Sequence, residues 1–270
     1  LDMIKKQIPE FFQLDRYQIS PKVLAQSALH CDPEEIHARV IIMPNWRADI
    51  FSLLAEVQVV VENQIYTLVY KEQKFSVIRS GIGAPQTGDT ILALAATPCE
   101  VILFTGSVGG LRPGMSIGDL VLPTTSIIGD GYTRYLDPTI QPNDLFGQSS
   151  MPDQSVFELL RNHTISACSK EQVALHEGIV FSTDSIVAQF FRLEDWSSRY
   201  NCIGVEMETA AAFRAASLVG IPIAALLQIS DVPVLSKSLF SGRTIEERDR
   251  RTVIRQTILA RILLDTLVLL

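Results

Sequence analysis

The segment GVEMETAAAF, residues 204–213, places Glu206 and Glu208 on either side of Met207 at the head of an otherwise apolar stretch. Acidic residues at a helix start complement its dipole, which contributes roughly 0.3–1 kcal/mol each. The apolar AAAF and LLQIS neighbours, however, read as protein interior, where a carboxylate needs hydrogen-bond donors. A vicinal diol offers two hydroxyls to the two oxygens of one carboxylate, so Glu208 has the chemistry to grip a sugar. Asp231 ends another apolar run, IPIAALLQISD. It either caps the next turn or, if buried, has its pKa raised so that it can protonate a leaving group. The stretch TGSVGG (105–110) has the glycine density that lets backbone N–H groups approach an anion or a sugar oxygen, although tight turns use the same density. No Lys-Ser/Thr follows it, which excludes a P-loop, and the next element reads as a strand, which excludes a dinucleotide-binding GxGxxG.

The remaining reactive residue types show no such pattern. His30, His37, His163 and His176 lack metal-ligand spacing, and Cys31, Cys99, Cys168 and Cys202 form no CxxC pair. The cysteines read as buried thiols of a reducing compartment, so no metal and no disulfide framework is expected. A net charge of −7 argues against a surface that coats nucleic acid. A small anionic ligand stays compatible with it, because local arginines and backbone N–H groups act at short range. LDMIKKQIPEFFQ lacks the apolar core of a signal peptide, and no uncharged apolar run reaches the ~18 residues of a membrane span. A soluble, cytoplasmic protein is the expectation.

These residues need a scaffold, and the hydrophobic pattern predicts one. ARVIIM (38–43) is a short continuous apolar run, as in a strand buried on both faces. PNWRADIFSLLAEV reads as a helix, followed by strands at VQVVVEN, IYTLVYKE and KFSVIR. A helix at PQTGDTILALAAT precedes a strand at EVILFTG and a Gly-rich turn into the next strand. Residues 129–150 carry turn formers and aromatics with little periodicity, which predicts an active-site loop. Beyond it come a helix at DQSVFELLRNHTISACSK, a strand at VALHEGIVFSTD and a helix at SIVAQFFRLEDWSSRY. CIGVE reads as a strand that enters the helix METAAAFRAASLVG. The closing segment steps Ile254, Ile258 and Ile262 by four, as a core-facing helix does. This alternation predicts a single α/β domain, residues 38–270, behind an N-terminal arm of residues 1–37. The expected architecture is a three-layer α/β/α fold with a central mixed sheet flanked by helices. In such sheets the ligand crevice lies outside strand carboxyl ends. FTGSVGG, FSTDS, GVEME and QISDVP all mark such ends, which predicts one shared pocket.

FTGSVGGLRPGMSIGDLVLP, GIVFSTDS, GVEMETAAAF and LLQISD, in this order, resemble the nucleoside phosphorylase-I family over roughly residues 38–270. That family includes purine nucleoside phosphorylases, uridine phosphorylases and related nucleosidases. The resemblance implies cleavage of a nucleoside N-glycosidic bond through an oxocarbenium-like transition state. The attacking group is phosphate, or water in the nucleosidases; a catalytically silent nucleoside-binding protein is a third reading. The resemblance further implies that Met207 packs on the ribose, Glu208 binds its 2′- and 3′-hydroxyls, and Glu206 sits beside them. Ser107, with Gly106, touches phosphate and ribose, Ile186 covers the base, and Asp231 protonates the purine N7 as the base leaves. Gln189 and Arg192 lie near the positions that uridine phosphorylases use for a pyrimidine, so both base classes stay open, with purine favoured. No cofactor is implied beyond inorganic phosphate as co-substrate. A homo-oligomer, either a dimer or a trimer of dimers, is also implied, in which a histidine such as His30 reaches the neighbour's pocket.

The anion end departs from the family pattern. A Gly-Asp-Pro-x-Arg turn is replaced by MPNWRADI, which leaves Arg47 as its arginine. Phe104 stands where a second arginine ends the strand before the Gly-rich stretch, and Val61 where a third would fall. Arg47, Ser107 and the N–H of Gly81 are therefore the expected phosphate ligands. Asp49, the carboxylate nearest to a nucleosidase-type water base, lies too far along the segment.

Overall fold

Strand β1 (Arg39–Met43) shows how the molecule is layered: Val40 and Ile42 face one apolar cluster, while Ile41 and Met43 face another. A strand with both faces apolar must be covered twice, and helices do so here. The computed structural model describes residues 13–136, 141 and 145–270. The start of the expected arm and part of the expected loop at 129–150 lie outside them. Helices α1 (Pro21–Leu29), α2 (Ala84–Leu94) and α5 (Thr209–Val219) cover one face. Helices α3 (Gln154–Glu171) and α7 (Ala260–Leu269) cover the other. The fold is the expected three-layer α/β/α arrangement around a mixed sheet.

The strands β2 (Glu56–Val61), β3 (Ile65–Tyr70) and β4 (Gln73–Arg79) form an antiparallel meander whose last member runs parallel to β1. Strand β5 (Val101–Gly110) follows β1 in parallel and is central to the topology. It pairs in parallel with β10 (Ile223–Asp231) and antiparallel with β9 (Gly204–Glu206). Strands β6 (Leu120–Ile128) and β8 (Leu175–Ser182) complete the path from β9 back to β10, so this half of the sheet closes on itself. The short β7 (Ser149–Ser150) pairs with β6. Closure gathers the last residues of β5, β9 and β10 and the segment after β8 around one opening, with β9 meeting the end of β5 in antiparallel register.

Three local expectations are corrected. PNWRADIFSLLAEV forms only a 3₁₀ turn at Ala48–Phe51: its buried residues Trp46, Ala48, Ile50 and Phe51 would spread over more than half the circumference of an α-helix, so no single helical face could bury them together. The Gly-rich stretch is not a turn but the end of β5: Gly109 and Gly110 pair with Val205 and Gly204. A Cβ on Gly204 would stand 2.7 Å from Val108 Cγ2, so the glycines permit close strand contact. SIVAQFFRLEDWSSRY keeps helix only at α4 (Leu193–Arg199). The closing helix is helical throughout but changes type: α6 (Ile245–Val253), a π-helical segment (Ile254–Leu259), then α7. No helix among the described residues is long and apolar enough to cross a membrane.

Candidate active site

The two glutamates of GVEME have separate jobs, divided by the strand-to-helix turn between β9 and α5. Glu206 is turned into the protein. Its Oε2 accepts the backbone N–H groups of Glu208 and Thr209, each at 2.7 Å, satisfying donors that every helix start leaves open. Its Oε1 accepts the hydroxyls of Ser182 and Thr209. Glu208 instead accepts chiefly from the N–H of Gly83 at 2.7 Å, with a lesser contribution from the backbone of Met207, and lies against open space. Gly83 holds φ at +99°, a conformation that only glycine adopts without strain.

Both carboxyls are buried, and burial raises both pKa values. Four donors hold Glu206 as the charged member of the pair. Burial, followed by the repulsion of Glu206, pushes Glu208 up to about 8. Asp231, only 3% exposed, is raised by burial, while the Ser230 hydroxyl and the charges of Arg243 and Arg251 pull it back. The Ser230 hydroxyl donates to its Oδ1 at 2.6 Å.

A cavity of about 290 Å³ joins these groups. Of the residues expected from the sequence, Ser107, Ile186, Gln189, Glu206, Met207, Glu208 and Asp231 line it together. Four strand ends thus supply one pocket: β5 carries Ser107, the segment after β8 carries Ile186 and Gln189, β9 leads to Glu208, and β10 ends in Asp231. Among the described residues no cluster of three or more His, Cys, Asp or Glu side chains converges as metal ligands would.

The expected phosphate ligands are where the structure departs most. Arg47 is exposed, its guanidinium 4.0 Å from Asp49, and it does not line the cavity. Its neighbour Trp46 turns inward instead and donates its indole N–H to Ser107 Oγ at 3.2 Å. The Gly81 N–H is spent on the Pro44 carbonyl at 3.0 Å, which leaves it no proton to offer an anion. Gly106 is buried in the β5–β10 ladder opposite Leu227, away from the cavity wall. Arg192 is exposed, with its guanidinium over the Phe191 ring, so only Gln189 of that pair reaches the pocket. Phe104 is wholly buried in the core, and His30 is an exposed residue in the left-handed conformation at the end of α1.

Sequence reasoning missed the cations that do face the cavity, Arg243 and Arg251. Arg251 donates to Ser107 Oγ at 2.8 Å, and Arg243 donates to the Ser230 carbonyl. The available signal was their density in GRTIEERDRRTVIR, with Arg251 and Arg255 four apart on one helix face. That face could be assigned to the pocket only once the path of the helix was known.

The chain is 26% identical over 194 residues to a DeoD-type purine nucleoside phosphorylase of Bacillus subtilis, covering 72% of this chain and 76% of that protein. It is 27% identical over 180 residues to a 5′-methylthioadenosine/S-adenosylhomocysteine nucleosidase of Halalkalibacterium halodurans, covering 64% and 74%. In three dimensions it is similar to uridine phosphorylase from Vibrio fischeri, with a TM-score of 0.72 at 19% identity over 88% of this chain and 94% of the other. The model of the phosphorylase superfamily matches residues 40–266, a span that contains the whole pocket and, among the described residues, every strand but for Arg39 at the start of β1, and the chain belongs to that superfamily.

Proposed function

We propose that this protein cleaves the N-glycosidic bond of a nucleoside, purine favoured, and passes the pentosyl group to inorganic phosphate, giving free base and ribose 1-phosphate. The observation that carries this reading is one pocket holding two buried carboxyls, Glu208 and Asp231, both raised in pKa. Their surroundings suit opposite tasks. Glu208 has a carboxyl whose protein donors are the backbone N–H of Gly83 at 2.7 Å and, with less effect, that of Met207, so its remaining acceptor sites are open to the ribose 2′- and 3′-hydroxyls. Asp231 is held toward its neutral form and can give its proton to the purine N7. As the C1′–N bond breaks, its electron pair leaves with the base, and the base takes the Asp231 proton. A phosphate oxygen then closes on C1′ of the oxocarbenium-like sugar. Met207 packs against the ribose and Ile186 covers the base. Gln189 bonds the base edge.

The test is a nucleoside panel incubated with and without phosphate, with base and sugar products assayed together. Ribose 1-phosphate in step with free base is the expected product. No base from any nucleoside would reject the reading. A second reading, hydrolysis by water, is favoured by the outward turn of Arg47, and free ribose in phosphate-free buffer would select it. The protein is also proposed to assemble as a homo-oligomer, a dimer or trimer of dimers. Light scattering at micromolar concentration tests this, and a monomer would contradict it.

A further inference from the structure

Three guanidiniums, those of Arg243, Arg251 and Arg255, gather at the β5–β10 end of the pocket with little to neutralise them. Arg251 loses proton affinity to burial and then to Arg255 and Arg243, which hold it at about 10; only Asp231 acts in the opposite sense. Asp231 is itself held toward the neutral form. The Nε of Arg251 is buried and, among the described residues, has no hydrogen-bond partner. Such a group is costly unless an anion meets it.

Ser107 gives an independent sign. Its Oγ already accepts two bonds, from the Trp46 indole at 3.2 Å and from Arg251 at 2.8 Å. A hydroxyl has two acceptor sites and one hydrogen, so the hydrogen of Ser107 must point elsewhere. Among the described residues none accepts it, and Ser107 lines the cavity. A donor hydroxyl and a desolvated guanidinium therefore face the same open space.

The backbone there is built for position. Arg250, the neighbour of Arg251, donates to Asp119 at 2.7 Å and to the Ile117 carbonyl. The Gln228 amide donates to the carbonyl of Arg251 at 2.9 Å. Immediately afterwards the helix turns π-helical over Ile254–Leu259, a distortion that is frequent at functional sites. Arg255 stacks over the Trp46 ring, 5.1 Å from its centroid, and so seals the back of the cluster.

We propose that Arg251 and Arg243, with the Ser107 hydroxyl, form the phosphate-binding subsite of this pocket, supplied by the C-terminal helix rather than by the turn after β1. A phosphate group fits better than a carboxylate: two guanidiniums match a dianion, and its oxygens can accept from donors that arrive from several directions. The group is either free inorganic phosphate or the phosphate of a nucleotide. The inference rests on the nucleoside-cleaving reading for its role, but its test does not use catalysis.

The protein, without nucleoside, is titrated with inorganic phosphate at constant ionic strength while its thermal unfolding is followed. The wild type is expected to be stabilised saturably. Arg251→Gln and Arg243→Gln should each weaken the apparent affinity about tenfold or more. Arg47→Ala should behave as wild type. Without phosphate, Arg251→Gln should melt no lower than wild type, because it removes a poorly compensated buried charge. That outcome separates a ligand-binding arginine from a structural one. A parallel titration compares a nucleoside with its 5′-monophosphate. An Arg251-dependent gain confined to the monophosphate identifies the bound group as the nucleotide's own. A saturable response to inorganic phosphate in the wild type that persists unchanged in Arg251→Gln would overturn the proposal. So would the absence of an Arg251-dependent response to either probe, or a lowered melting point of the ligand-free variant. If Arg251 binds phosphate while no nucleoside is cleaved, the subsite stands and the catalytic reading falls. If base is released and the phosphate KM is unchanged in Arg251→Gln, the reverse holds.

Discussion

Replacing Glu208 by Gln is expected to make the protein more stable while removing its activity. Folding raises the carboxyl from 4.5 to about 8, through burial first and the nearby Glu206 charge second. Between those two values the folded state binds more protons than the unfolded chain, so stability falls as pH rises through the window. At ~1.4 kcal/mol per unit, the deficit reaches about 5 kcal/mol above pH 8 and about 3 kcal/mol at pH 7. Glutamine carries no charge and therefore no such deficit. Its carbonyl can keep the 2.7 Å bond from the Gly83 N–H, so the turn above α5 retains its shape. Urea unfolding of both proteins at steps from about pH 5 to about pH 8.5 measures the effect. The variant's advantage should be near zero at the acid end and grow steadily to a few kcal/mol at the alkaline end. Its kcat/KM on nucleosides should fall about 100-fold or more, because an amide replaces one diol acceptor with a donor. A stability difference that does not change with pH would refute the protonated-carboxyl argument, and wild-type turnover would refute the sugar assignment.

Glu206→Ala should behave in the opposite way. It strips the acceptor from four donors at the head of α5 and should cost about 3 kcal/mol or more by urea unfolding; a loss under about 1 kcal/mol would contradict the capping role. Asp231→Asn should slow cleavage of purine nucleosides by about 100-fold or more, yet barely affect p-nitrophenyl riboside, whose leaving group departs without a proton. Equal losses on both substrates would exclude a general acid. Nucleoside affinity should strengthen as pH rises through about 8, since the Glu208 carboxylate is the better acceptor of the diol. Calorimetric titration of a 2′,3′-dideoxynucleoside, which lacks that diol, should show no such trend.

The sequence was most informative where chemistry and local periodicity coincide. Strand β1 is a run of apolar residues buried on both faces, so RVIIM had one reading, and the three-layer fold followed from repeated units of that kind. Glu208, Ser107 and Asp231 were legible because each stands near the carboxyl end of a buried strand, where a polar residue is out of keeping with its neighbours, whereas Met207 was reached only through the family resemblance. That rule speaks of position along the chain. It could not decide which of Glu206 and Glu208 faces the ligand, because the answer depends on donors from Ser182 and Gly83, far away in sequence. It also could not show that the Gly-rich stretch is a strand, because Gly109 and Gly110 take their conformation from pairing with β9.

The anion end was decided by tertiary structure alone. Nothing local distinguishes Arg47, which points to solvent, from Trp46 beside it, which reaches Ser107. Nor does helical spacing say that Arg251, twenty residues beyond Asp231 in the chain, returns to the end of β5. A side chain's reach is set by where its helix is anchored, and here Asp119 and Gln228 anchor it from strands β6 and β10 or their approaches. The sequence alone determined which chemical groups this protein owns and that four strand ends would gather them. The packing of the last helix against the closed half of the sheet decided which cations meet them, because charge acts through space and not along the chain.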